Sequence, residues 1–352
     1  MNKVKSVCFE GETICVGIDV HKRNWKVQPR MGEIELKGFS QDPDAQTFSN
    51  YFKEHYPGAQ VRAAYEAGFC GFGIQRDLKR LGIECIVVNA ADVPTSDKER
   101  KRKDDKRDAR KLSRELSDGS LKGIYIPSTE MEHARSLLRE RYQLVKDRTR
   151  CKNRIKHMLM FSGIKIDSNN WSNKYVKTLE QLEGCTTPLR EALNLVLMQY
   201  KQLELVLKEA KKKIQLLCKE SPFAEVQKYI RSIPGIGLIN GMVVQTEIHD
   251  MRRFKTLDEL NDYVGLVPDM RSSADKTVTL GISQRGNRFL KKAIVESSWV
   301  LIGRDPAMLM KYKEYLRRMN ANKAIIRIGK HLLSRIRYVW NNCEAYQKGV
   351  VG

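Results

Sequence analysis

The sequence predicts a composite chain, an α/β domain over residues 1–125, a helical coiled-coil connector over 126–220 and a mostly helical domain over 221–352. Three observations carry that division. Short apolar runs alternate with amphipathic stretches in the N-terminal part, an unbroken heptad seam occupies the middle, and glycine-punctuated helical segments follow Ser221.

The N-terminal elements follow in order. "TICVGIDV" and "NWKVQPR" read as adjacent strands, and "EIELKGF" alternates as a third. "DAQTFSNYFKEHY" is a helix, "AQVRAAYEA" a fourth strand, "GFGIQRDLKRLG" a helix with a glycine stop, and "IECIVVNA" a fifth strand. Three consecutive strands, then helix, strand, helix and strand, match the order of an RNase H-like α/β domain. A dinucleotide-binding domain needs a glycine-rich turn after its first strand, and "DVHKRN" has no glycine.

Residues 96–114 carry ten basic and five acidic side chains, and the second half, "DDKRDARKLSREL", has helical character. From Arg135 to His157 nine Lys or Arg residues face two acids along a thin apolar seam. Leu189, Leu193, Val196, Tyr200, Leu203, Leu207, Ala210, Ile214 and Leu217 then step by four and three without exception, as in a coiled coil. Its partner is either the 131–160 helix of the same chain or another chain. An antiparallel hairpin that dimerises is the expectation.

Beyond Ser221, "VQKYIRSIPGIGLINGMVVQTEI" resembles a helix-hairpin-helix, whose glycine turn offers backbone N–H groups to a phosphate. A short helix, a polar loop through "PDMRSSADK", a basic turn and a further helix follow. "RIGKHLLSRIRYVWNN" closes the chain as a basic amphipathic helix.

The formal net charge of +22 far exceeds what solubility requires and implies a polyanionic partner, nucleic acid before an anionic membrane. No apolar stretch approaches the roughly 18 residues of a spanning helix, and the N-terminus lacks the apolar core of a signal peptide. The expectation is a cytoplasmic protein. The eight cysteines contain no CxxC pair, so the spacing suggests neither zinc nor a disulfide framework.

Asp19 ends the first strand and Glu66 the fourth, and in an RNase H-like sheet those strands are neighbours. Asp105 and Asp108, three apart, share a helix face; Asp104, four from Asp108, is a rival. Four carboxylates at one locus repel unless cations lie between them, and hard oxygen donors suit Mg²⁺ or Mn²⁺. Such ions clamp a phosphodiester and activate a nucleophile. His21 reads as an exposed loop histidine, with a supporting partner of the acids as the alternative.

The stretches "VGIDVHK", "AAYEAGFCG", "KDDKRDARKLS", "SIPGIGLINGMVV", "LNDYVGLVPDMRSSADK" and "GISQRGNRFLKKAI" together resemble the DEDD insertion-sequence transposases, in that family's order and over nearly the whole chain. These are relatives of the Piv-type DNA invertases, and some are described as bridge-RNA-guided recombinases. The resemblance implies a RuvC-like domain whose acids are Asp19, Glu66, Asp105 and Asp108, and a coiled-coil connector that dimerises, with a tetrameric synapse as a larger assembly. It also implies a C-terminal transposase domain with a nucleophilic serine five residues after the proline of "GLxP". That place is Ser273; Ala274 stands where the family usually carries glycine, which leaves Ser272 as an alternative.

The implied activity is site-specific cutting and rejoining of DNA through a phosphoserine link, with a structured guide RNA as second partner. The rival readings are an invertase without RNA, a RuvC-like nuclease in which water attacks, and an inert nucleic-acid-binding protein. The 98–114 run, the 135–157 helix, and Arg285, Arg288, Lys291 and Lys292 are the expected contacts to the nucleic-acid backbone.

Overall fold

The computed structural model describes residues 8–94, 105–165, 170–273 and 276–349, with side chains except at 105–106 and 270–280. The chain forms two compact units, Met1–Ile126 and Pro127–Gly352.

The first unit is built on a mixed sheet. Its strands are β1 (Thr13–Val20), β2 (Trp25–Met31), β3 (Ile34–Glu35), β4 (Phe39–Gln41), β5 (Gln60–Glu66) and β6 (Glu84–Val88). The order is β3-β2-β1-β5-β6, with β4 also on β2; β1 and β2 are antiparallel, whereas β1, β5 and β6 are parallel. Alternation along β1 sorts its residues between two faces. Ile14, Val16 and Ile18 enter a core with Phe48 and Phe52 of α1 (Ala45–His55) and Leu78 of α2 (Gly73–Arg80). Cys15 and Gly17 face α3 (Asp105–Ser117) instead.

The third predicted strand is broken in two. The buried Gln28 side chain donates to the carbonyl oxygen of Leu36 at 2.7 Å, which draws that segment off the ladder. Gly38 leaves room for the amide, since a Cβ there would lie 2.5 Å from Gln28 Oε1.

The second unit is mostly helical. α4 (Thr129–Phe161) and α6 (Thr187–Leu217) pack along their length. Arg148 bonds to Glu204 and Arg154 to Gln199, so numbering rises on one helix as it falls on the other, as in an antiparallel hairpin. Leu193, Val196 and Tyr200 of the seam pack with Cys151, Ile155 and Leu159 and with α5 (Asn173–Glu180). At the other end, Met131, Ala134 and Leu138 join Ile214 in the core of the C-terminal helices.

Those helices are α7 (Phe223–Ile230), α8 (Leu238–Ile248), α9 (Leu257–Val264), α10 (Arg288–Ile302), α11 (Pro306–Leu316) and α12 (Ala321–Asn342). One expectation changes here. The polar stretch Pro268–Ser273 is instead a strand, β7, paired with β8 (Lys276–Ile282), with Ser272 opposite Thr277 and Ser273 opposite Lys276, so that the two form a β-hairpin. β-Branched Thr277, Val278 and Thr279 supply the strand preference that the polar half lacks. In the "PGIG" turn, Gly235 has φ of 93°, and a Cβ there would lie 2.5 Å from the Ser297 carbonyl oxygen. That glycine serves close packing on α10, whereas Gly237, the N-cap of α8, faces open space.

Candidate active site

Asp19 lies one residue before the end of β1. The β1–β5 ladder pairs Gly17 with Ala64 and Ile18 with Tyr65. Carried one residue further, it sets Asp19 beside Glu66, on the face that receives Gly17 and Ala64. Both acids therefore stand at the carboxyl ends of adjacent parallel strands, where open α/β sheets bind ligands.

α3 determines what joins them. Ala109, Leu112, Ser113 and Leu116 form its buried stripe, at helical spacing. Leu116 packs with Cys15 and Ala64, low on the strands. Higher up, a Cβ on Gly17 would lie 1.9 Å from the Ala109 carbonyl oxygen and 2.9 Å from Leu112 Cβ. The helix thus runs antiparallel to β1 and touches its backbone at Gly17. Its first turn, with Asp105 and Asp108, lies toward the strand ends that bear Asp19 and Glu66. Asp108 is half-buried and Glu66 exposed. The Asp105 backbone opens α3; its side chain lies outside the described set, as do Asp104 and the charged run before it. Among the described residues, no three His, Cys, Asp or Glu side chains gather as a metal cluster.

Two residues stand beside Asp19, His21 in contact with it and Lys26 across the ladder. His21 Nε2 lies 3.0 Å from Asp19 Oδ2, so the residue read as a loop histidine orients the carboxylate. The β1–β2 turn, closed by a bond from His21 N–H to the Asn24 carbonyl oxygen, brings it back. Lys26 lies across the ladder from Asp19 and donates to Ser40 Oγ at 2.8 Å. An Asp-x-His spacing before a tight turn was the available signal.

The serines belong to the other unit. Ser273 ends β7, and its side chain and that of Ser272 lie outside the described set. β8 leads through the "SQRGN" turn into α10, whose N-cap Asn287 accepts from Leu290 N–H. Arg285 and Arg288 flank that cap, and Lys291 donates to the Ser283 carbonyl oxygen at 2.8 Å. Burial, and then Arg288, lower the Lys291 pKa. Cations crowded on the positive end of a helix favour an anion there.

Part of the expected basic face is occupied internally. Glu247, 1% exposed, accepts from Arg139 at 2.9 Å and from Asn287 Nδ2 at 2.8 Å. Arg135, mostly buried, donates to the carbonyl oxygens of Thr246 and Glu247. Burial lowers its pKa, and Glu247 opposes that shift. Arg148 is held by Glu204. These three arginines tie α4 to its neighbours; the separations in sequence are too long for pattern reading to detect.

No helix among the described residues is long and apolar enough to cross a membrane. The IS110-type DEDD transposase model matches residues 16–162, which hold all four acids. The transposase model of the IS116/IS110/IS902 family matches residues 227–313, which hold Ser273. The chain is 30% identical over 305 residues to y4qE of Sinorhizobium fredii, whose name places it with the transposases; the match covers 85% of this chain and 74% of that protein. It is 28% identical over 257 residues to the transposase for insertion sequence element IS1533 of Leptospira borgpetersenii, covering 68% and 70%. With the transposase for insertion sequence element IS1111A of Coxiella burnetii it shares 25% identity over 205 residues, 57% and 55% of the two chains. Likeness of that extent, with both models in order along one sequence, makes the chain a member of the IS110 family of insertion-sequence transposases.

Proposed function

We propose that this transposase cuts and rejoins DNA at its element's ends through a covalent serine–phosphate link, with Asp19, Glu66, Asp105 and Asp108 holding Mg²⁺ or Mn²⁺ in an RNase H-like domain. The observation that carries the reading is the antiparallel passage of α3 over Gly17, which directs the Asp105/Asp108 turn toward the strand ends of Asp19 and Glu66. The donor set fits the ion, because four carboxylates offer only hard oxygen ligands. Bound there, the ions supply charge neutralisation at the phosphate.

The chain's own groups do the rest. Ser273 Oγ attacks phosphorus; the new O–P bond forms as the P–O3′ bond breaks. The serine proton passes, directly or through water, to the departing 3′ oxygen. The phosphoserine keeps the energy of the diester, so a 3′-hydroxyl of another strand attacks it and the steps run in reverse. His21 holds Asp19 in place, and the cations of the α10 turn neutralise backbone phosphates. The α4–α6 hairpin serves as the dimerisation connector, two dimers form the synapse, and RNA transcribed from the element's ends selects the sites. The setting is the cytoplasm.

The test is a denaturing-gel assay for protein–DNA adducts with element-end DNA, with and without that transcript. Wild type with Mg²⁺ gives an adduct; Ser273→Ala and Asp19→Asn give none, and Ser272→Ala retains it. Cleavage by Ser273→Ala without adduct would replace the serine route with attack by water. Unchanged activity in Asp19→Asn and in chelator would remove the metal site. RNA of defined sequence co-purifying with the protein supports guidance, and full activity without RNA excludes it.

A further inference from the structure

Between the base of the β7–β8 hairpin and the start of α12 lies a cleft of about 430 Å³. Leu266, Val267, Ile282, Met319 and Ile326 make its walls largely apolar. Lys323, Arg327 and Lys330 line the α12 side; at i, i+4 and i+7 they share one helix face. None of the three ion-pairs with a carboxylate of the described residues, although other basic residues of this unit do. Burial, and then the neighbouring Arg327, lower the Lys330 pKa, and Asp258 only partly opposes them. A row of cations with no carboxylate in ion-pair contact among the described residues, on the rim of an apolar hollow, suits a ligand with a flat apolar part and a chain of negative charges.

We infer that this cleft seats an unpaired nucleotide of the DNA strand on which Ser273 acts, with the base against the apolar wall and successive phosphates along Lys323, Arg327 and Lys330. Charge complementarity selects a polyanion, and the hollow selects one whose bases are free of a duplex. The hairpin selects the strand. Pro268 and Ile282 lie at its base and Ser273 at its tip, so an occupant of the cleft bears on the element that delivers the serine. The apolar wall has no aromatic residue, so the base packs against aliphatic carbon, as it does against apolar wedges in distorted duplexes. The inference rests on the reading of the chain as a DNA-cutting enzyme and adds the place where it holds melted DNA.

The test measures binding of full-length protein to a fluorescent oligo-dT 12-mer and to an abasic 12-mer, over a salt series. Each cation lost from a single-strand contact lowers the salt slope by about 0.7, so Lys323→Gln, Arg327→Gln and Lys330→Gln together lower it by about 2. The triple variant is expected to bind oligo-dT at least tenfold more weakly. A control with Lys208→Gln, Lys211→Gln and Lys212→Gln on the exposed side of α6 removes the same charge and is expected to change affinity less than threefold. Wild type prefers oligo-dT to the abasic strand, and Ile326→Ala narrows that preference. Thermal unfolding verifies that each variant folds.

Equal losses in the cleft and control triples, or equal wild-type affinity for the two strands, would overturn the inference. Serine adducts from a cleft variant that binds oligo-dT normally would remove the cleft and keep the function. A wild type without adducts, whose oligo-dT binding still depends on the cleft cations, would do the reverse.

Discussion

Replacing Glu247 by alanine tests the junction that holds the α10 turn. The carboxylate is 1% exposed and takes hydrogen bonds from Arg139 and Asn287, with Arg135 3.8 Å away. Asn287 also caps α10, so Glu247 reaches through one amide to the turn that bears Arg285 and Arg288. Removing one partner of a buried ion pair costs about 3–5 kcal/mol. Two features place this site at the lower end. Arg139 is 57% exposed and rehydrates, and Arg135 keeps its bonds to the carbonyl oxygens of residues 246 and 247. The expected loss is therefore about 3 kcal/mol, and at 2–4 °C per kcal/mol for a unit of this size the melting midpoint falls by about 6–12 °C. Thermal unfolding of the full chain reads that shift. Arg139→Ala should cost about 1 kcal/mol in wild type and close to nothing in Glu247→Ala, the signature of a coupled pair. A midpoint within 2 °C of wild type, or additive losses, would refute the assignment of Glu247 as the centre of the junction.

Other consequences are testable in the same way. Gly17→Val has no room under α3, so it should destabilise by about 1–3 kcal/mol and abolish DNA cleavage even at temperatures where the chain stays folded; wild-type cleavage by a folded Gly17→Val would break the link between α3 packing and the acids. His21→Ala should raise the Mn²⁺ concentration needed for half-maximal cleavage several-fold, and His21→Gln, which keeps a donor for Asp19, should restore most of it; equal behaviour of the two would assign His21 no positioning role. Burial lowers the pKa of His331, whose ring bonds to the Tyr315 hydroxyl. Its unfolded form binds a proton below about pH 6.5 that the folded form resists, so its stabilising share is complete above that pH and is lost as pH falls through the lower folded value. His331→Gln should accordingly show a shallower loss of stability between pH 7 and 5 than wild type, and identical slopes would exclude the effect.

The sequence exposed those parts of the fold in which each element announces itself locally. β1 and β6 are apolar runs rich in β-branched residues, and Ala109, Leu112 and Leu116 betray the buried stripe of α3. The heptad seam of α6 was equally plain, and the structure supplied its partner, α4 of the same chain. The hairpin was harder, because Asp269, Arg271, Ser272 and Ser273 lack strand preference and become β7 only by pairing with β8. α11 lacked a clear signal, with exposed Leu309 and Met310 blurring its apolar face. Of the candidate site, the order of the acids was visible, but the contact that arranges them depends on a glycine whose importance comes from a helix some ninety residues away. Arg135 and Arg139 look like any other cation of a basic helix until Glu247, over a hundred residues on, is found against them.

The two units divide the proposed chemistry by rigidity. The acids are assigned to two adjacent parallel strands and to a helix that meets the sheet backbone closely where Gly17 faces Ala109 and Leu112. A metal site needs that stiffness, since ligands a fraction of an ångström out of place lose the ion or its geometry. The serine instead ends the first strand of a two-stranded hairpin, a structure with marginal stability of its own. Its footing comes from the base, where Leu266 is buried in the core and Gly265 packs against Gly286. A nucleophile on such an arm is held firmly at one end and is adjustable at the other. Nucleic acid bound at the arm's foot, in the α12 cleft or at the α10 turn, thereby gains leverage over the serine without touching it. The Lys323, Arg327 and Lys330 variants should for that reason slow adduct formation more than saturating DNA can restore.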